Sequence, residues 1–126
     1  MVRYRRVYQT VRRRQRLSLR RQRCRRAKMK VSLPEIFGSG FGFRFPLFYE
    51  AYRCVGVCRT PLSARVRASN HAIVQAMLAE VNGAMVPLPC CVPTRLSALP
   101  MLQQGRNGRL RQQPLRDMVV QECGCR

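Results

Sequence analysis

The sequence predicts a small, disulfide-rich, mainly β domain with one helix, preceded by a basic arm. Three observations lead there. Seven cysteines, Cys24, Cys54, Cys58, Cys90, Cys91, Cys123 and Cys125, all stand beyond the first 23 residues. Large core side chains are scarce, with no Trp, four Tyr and five Phe in 126 residues. So short and Arg-rich a chain struggles to offset its conformational entropy by apolar burial alone, and covalent staples are the usual remedy. The third observation is that extended and turn signals fill most of the chain beyond the arm. Such staples persist in oxidising compartments, which points to secretion.

The arm comes first. Of 25 Lys and Arg residues, 14 lie in the first 30 positions, where no acidic residue occurs. Residues 1–23 show neither helical nor strand periodicity and are expected to form a solvated arm or pro-region remnant, with the domain at 24–126. Dense positive charge at Arg12, Arg13, Arg14, Arg16, Arg20, Arg21 and Arg23 suits a sulfated glycan such as heparan sulfate. Arg13-Arg14-Gln15-Arg16 and Arg20-Arg21-Gln22-Arg23 both fit the R-x-x-R pattern cut by furin-like proteases. Met1 leads into Arg3, Arg5 and Arg6 rather than an apolar stretch, so the secreted reading expects a mature region whose leader has been lost. The net charge of +20 also raises a reading from another class, an intracellular nucleic-acid-binding protein. No recognisable nucleic-acid fold accompanies the charge, so no nucleic-acid partner is expected.

Met29 to Arg53 reads as a pair of strands with a loose tip broken by Gly38, Gly40 and Gly42. The helix starts near Ser69 or Asn70 as N-cap and closes at Asn82-Gly83. Ile73, Val74, Met77, Leu78 and Val81 recur at spacings of three and four and form its apolar face, with Gln75, Ala79 and Glu80 opposite. Residues 91–125 read as a long hairpin turning at Gly105-Arg106-Asn107-Gly108. Pro100 and Pro114 each lack a ladder donor and are expected at an edge or a bulge.

The cysteines fall into a pattern. Cys54-Val55-Gly56-Val57-Cys58 and Cys123-Gly124-Cys125 are two short pairs, and two disulfides between them would close a ring of five plus three residues. A third bridge passes such a ring only if side chains near the hole are small, and Gly56 and Gly124 sit at the middle of its two sides. Spacing alone leaves the pairing open, and an odd cysteine must be free or join another chain. The same pairs could instead be zinc thiolates, but the second is too tight for a usual zinc knuckle and the chain has one His, so no metal is expected. Asp117 and Glu122 have no second acid, His or nucleophile at useful spacing, so neither catalysis nor a cofactor is expected.

From Cys24 to Arg126 the chain resembles the mature domain of the transforming growth factor beta superfamily, in its bone morphogenetic protein and growth/differentiation factor branch. The resemblance rests on Tyr49-Glu-Ala-Tyr52 before Cys-Val-Gly-Val-Cys58, Ser69-Asn-His-Ala-Ile-Val-Gln75, Cys90-Cys-Val-Pro-Thr-Arg-Leu-Ser97 and Asp117-Met-Val-Val-Gln-Glu-Cys-Gly-Cys-Arg126. It implies a cystine-knot cytokine fold with two β-hairpin fingers and a helical heel. It also implies the pairing Cys24–Cys91, Cys54–Cys123 and Cys58–Cys125, with Cys90 bridging to a twin subunit. Ile73, Val74, Met77 and Leu78 would then be covered by that subunit in a twofold dimer. The implied function is a secreted homodimer, or a dimer with a related subunit, that binds type I and type II receptor serine/threonine kinases, triggers SMAD-type signalling and meets extracellular antagonists. Pro46, Pro61 and Leu62 are expected among the receptor-binding residues, with Ser97, Leu99 and Met101 as a convex apolar patch for type II.

The sequence departs from this family where receptors bind. Ungapped alignment back from Cys54 puts Ser39 and Gly42 where similar ligands carry a Trp pair, Thr60 replaces a Phe, and Gln112 stands where an apolar residue is usual. These departures leave room for a divergent or non-signalling ligand.

Overall fold

The computed structural model describes residues 22–38, 42–62 and 66–126. Strands β1 (Arg25–Ala27) and β2 (Lys30–Ser32) are followed by a short helix α1 (Leu33–Phe37). Then come β3 (Phe43–Phe45), β4 (Phe48–Glu50) and β5 (Arg53–Val55), the long helix α2 (Asn70–Val81), and the long strands β6 (Cys91–Gln104) and β7 (Leu110–Cys125). β1 pairs with β5, β2 with β4, and a third sheet runs β3-β6-β7. Among the described residues, no helix is long and apolar enough to cross a membrane.

The chain divides into two compact units. The second comprises Arg26–Cys54 and Pro93–Glu122 and holds both fingers. In the first finger β2 and β4 run antiparallel, with Lys30 opposite Glu50, Val31 opposite Tyr49 and Ser32 opposite Phe48. Backbone bonds from Ala51 N–H to the Met29 carbonyl and from Leu33 N–H to the Leu47 carbonyl, both 2.9 Å, extend the ladder. Burial raises the Tyr49 phenol pKa above its ordinary value.

The expected pair of simple strands is interrupted by α1. Ser32-Leu33-Pro34-Glu35 explains the helical turn, because Pro near the start supplies a helical φ and Glu35 lies in the first turn, where the helix dipole favours an acid. Gly38, with φ +67°, ends it. Gly40, expected at the tip, lies outside the described residues.

The second finger is the β6–β7 pair. Its turn closes with bonds from Gly105 N–H to the Arg109 carbonyl, 2.9 Å, and from Gly108 N–H to the Gly105 carbonyl, 3.1 Å. Gly108 takes φ +72°, which a side chain would disfavour. Pro114 sits in the edge strand β7, and β3 reaches β6 only at Leu102 and Gln103, away from Pro100. Leu33, Ala51, Met101 and Val120 are buried in this unit, and Met101 is 0% exposed. The Val120 N–H donates to the Ala51 carbonyl at 2.9 Å. Met101 is therefore too deeply buried to form part of the expected convex receptor patch. Along β6 the alternation turns Ser97, Leu99 and Met101 to the more buried face, and Leu96 and Pro100 outward.

The other unit contains residues 22–25, Val55–Val92 and Cys123–Arg126. Among the described residues, its buried hydrophobic core comprises Cys24, Val55, Cys58, Val66, Ala72, Ala76, Ala79, Cys123 and Cys125, with Pro89 buried as well. Four of these are cysteines and three are alanines. Large side chains contribute little, and sulfur and close backbone approach take their place.

Candidate functional site

Three features of the cysteine-rich unit form the candidate site. The first is the ring. Cys24 is bonded to Cys91 with Cα atoms 5.4 Å apart, and Cys58 to Cys125 at 5.8 Å. Cys54 and Cys123 are disulfide-bonded as well. The sulfurs of Cys24, Cys58 and Cys125 lie within 4.8 Å of one another and are buried. They are held in S–S bonds and offer no thiolate, so their closeness is that of stacked disulfides.

Gly56 shows why the passage is tight. Its φ is +110°, and a Cβ there would lie 2.3 Å from the Arg23 carbonyl oxygen and 2.7 Å from the Cys24 nitrogen. The Val57 N–H donates to the Gln22 carbonyl at 2.9 Å, and Arg23 bridges Val57 in parallel. The segment before Cys24 thus runs directly against the glycine side of the ring. Gly124, on the shorter side, is buried.

The second feature is α2. Ser69 is its N-cap, with extended backbone and a hydroxyl that accepts from the Ala72 N–H at 3.1 Å. The Asn82 N–H donates back to the Leu78 carbonyl at 2.8 Å. At 100° per residue, Ala72, Ala76 and Ala79 share one face and are the helix's buried residues. Val74, Met77, Leu78 and Val81 share the opposite face and are 57%, 57%, 50% and 86% exposed. Ile73 lies between the faces, half-buried. The side of the helix opposite the bulky residues is therefore its packing face at Ala79, not a solvent face. This helix is apolar on both sides, small inward and large outward.

The third feature is Cys90, exposed and free. Its backbone is fixed by two 3.0 Å bonds with Arg126, one in each direction. The adjacent Cys91 is committed to Cys24, so Cys90 alone of the seven presents a thiol.

The remaining expected residues are placed as follows. Pro46 and Leu62 are half-buried and Pro61 is exposed. Ser97 is half-buried and its hydroxyl accepts from the Gln121 side-chain amide at 2.8 Å, while Leu99 is half-buried. Gln112 is exposed, Thr60 is half-buried, and Ser39 lies outside the described residues. In the arm, Arg12, Arg13, Arg14, Arg16, Arg20 and Arg21 lie outside the described residues, and Arg23 is exposed beside the ring. The sequence reading missed a cluster of exposed apolar side chains on the first finger, including Ile36, Phe37, Leu47 and Phe48. The Phe-Pro-Leu-Phe run at 45–48 was its available signal.

Comparison with known proteins adds a family. The description "Transforming growth factor beta like domain" matches residues 23–125. Growth/differentiation factor 6 of Rattus norvegicus is 38% identical over 106 residues, covering 84% of this chain and 23% of its own length. Growth/differentiation factor 7 of Mus musculus is 40% identical over 106 residues, again 84% of this chain and 23% of its own. The Nodal homolog of Homo sapiens is 38% identical over 113 residues, 90% of this chain and 32% of its own. The chain thus spans about a quarter to a third of the length of these curated relatives.

Proposed function

The chain belongs to the transforming growth factor beta family, and from that premise we propose that it is the mature domain of a secreted growth-factor ligand. It dimerises through α2 and Cys90 and binds type I and type II receptor serine/threonine kinases, leading to SMAD-type signalling. The observation that carries the dimer is the outward face of α2. Taking Val74, Met77 and Leu78 from half exposure to full burial contributes on the order of 1 kcal/mol each. The covalent bond from an exposed Cys90 to its twin would then secure a weakly buried interface. Six disulfide-bonded cysteines support an oxidising compartment and so the extracellular reading.

A second reading, a ligand with altered receptor preference, is favoured by one observation. Met101, expected on the type II side, is sealed in the finger and offers no contact there. Leu96, 38% exposed, is the largest of the apolar side chains that β6 turns outward instead, with Ala98 and Pro100 beside it.

The test is to purify the secreted protein and pass it over immobilised ectodomains of both receptor types. The expected result is a dimer on non-reducing gels that collapses on reduction and binds at least one ectodomain of each type. Leu78→Glu together with Cys90→Ser should give a folded monomer with weakened binding. A wild-type monomer under both gel conditions that binds neither receptor class contradicts the proposal.

A further inference from the structure

The exposed apolar cluster on the first finger has no role in the ring, the helix face or the free thiol. Ile36 and Phe37 of α1, Phe45 of β3, Leu47, and Phe48 of β4 are between 44% and 64% exposed. The β2–β4 ladder brings the Leu47–Phe48 segment beside the start of α1, and Phe45, in β3, lies two residues before Leu47. Phe48 stands opposite Ser32, which immediately precedes α1, and Leu33 donates its N–H to the Leu47 carbonyl. Basic groups are interleaved. Lys28, Lys30 and Arg44 are exposed, and the Lys30 ammonium lies 5.3 Å from the centre of the Phe48 ring. Of the acids nearby, Glu50 accepts the Met29 N–H, and Glu35 stands in the first turn of α1.

We propose that this surface docks on an anionic lipid bilayer. Ile36, Phe37, Leu47 and Phe48 would enter the boundary between headgroups and acyl chains, while Lys30 and Arg44 meet acidic headgroups. Local charge opposes a second copy seated patch to patch, because Lys28, Lys30 and Arg44 would then face their own twins. A sulfated glycan would satisfy the cations but leave the apolar side chains in water, and a nucleic acid could stack bases on the Phe rings but would leave Ile36 and Leu47 uncovered. Each apolar side chain stands about half exposed, and a bilayer accepts protruding side chains without the shape complementarity that a protein interface core requires. Exposed aromatic and aliphatic residues beside Lys and Arg are the composition of interfacial anchors, and acidic headgroups attract basic residues held near the surface. The inference does not depend on receptor binding. A chain that failed every receptor assay would still dock.

The absence of Trp makes the test direct. Phe37→Trp and Phe48→Trp, each made singly in the full disulfide-bonded protein, give one reporter apiece on the patch. Leu110→Trp, at a 56% exposed site on the second finger, is the comparison. Vesicles of phosphatidylcholine, with and without phosphatidylserine and with brominated acyl chains as quencher, are the probe. Docking predicts a blue-shifted, bromine-quenched emission at positions 37 and 48 with serine-lipid vesicles, and an unshifted emission at 110. Replacing both Ile36 and Phe37 with Ser should lower the sedimenting fraction while heparin binding is retained. Binding without quenching would mean that charge alone holds the protein, and overturns the proposal. So does equal quenching at Leu110, or no binding at all.

Discussion

The cysteine-rich unit and the finger unit solve the same problem differently. Each is too small to gather a large apolar core. The cysteine-rich unit buries cysteines and alanines and brings backbone against backbone at Gly56. The finger unit buries Leu33, Ala51, Met101 and Val120 under strand pairing, and leaves several large side chains outside. A covalent frame tolerates a poor core but not an extra atom in its passage. A packed finger tolerates small changes but depends on its few large buried groups. Sensitivity to substitution should therefore be steric in one unit and volumetric in the other.

That contrast can be broken at Gly56. Gly56→Ala places a methyl group 2.3 Å from a backbone oxygen, at a φ that side chains avoid. The expected cost exceeds about 4 kcal/mol, enough to block native disulfide formation. It would appear as loss of secreted protein with native thiol titration, and normal secretion and stability would refute the steric account. In the fingers, Met101→Ala removes the most buried large side chain and should cost about 2–5 kcal/mol, depending on how far the site collapses. Denaturant unfolding would measure it, and the disulfides should remain native. An effect under about 1 kcal/mol would mean that Met101 packs loosely. A smaller change sharpens the comparison at α2. Ser69→Ala removes the cap on the Ala72 N–H and should cost about 1 kcal/mol, with Ser69→Asp close to neutral. Equal losses in both variants would show that the hydroxyl bond is not what holds the helix start.

What the sequence disclosed follows the same division. The two short cysteine spacings and Gly56 were readable because a covalent ring fixes spacing along the chain, whereas the pairing itself came from the family resemblance. The helix was readable because a cap at Ser69 and apolar steps of three and four need no tertiary information. Its inward face was not. Ala72, Ala76 and Ala79 fit helical spacing as well as Val74, Met77 and Leu78 do, and hydrophobicity favoured the bulky set. Close approach to the rest of the unit selected the alanines. Met101 failed for a related reason. Alternation along β6 separates two faces without saying which is covered, and the packing of Leu33, Ala51 and Val120 decides that. The α1 turn was within reach, since Ser32-Leu33-Pro34-Glu35 carries a helix-start pattern that the surrounding strand signals outweighed.

The central claim is that six cysteines close within the chain and Cys90 leaves it for a second copy. Non-reducing proteolysis of the secreted protein followed by mass spectrometry tests this directly. The account predicts a peptide linking Cys24 to Cys91, a peptide set containing Cys58 joined to Cys125, and a symmetric peptide joining two copies of Cys90. A free Cys90 thiol in a protein of monomer mass, or Cys90 bonded to any cysteine of its own chain, would contradict it.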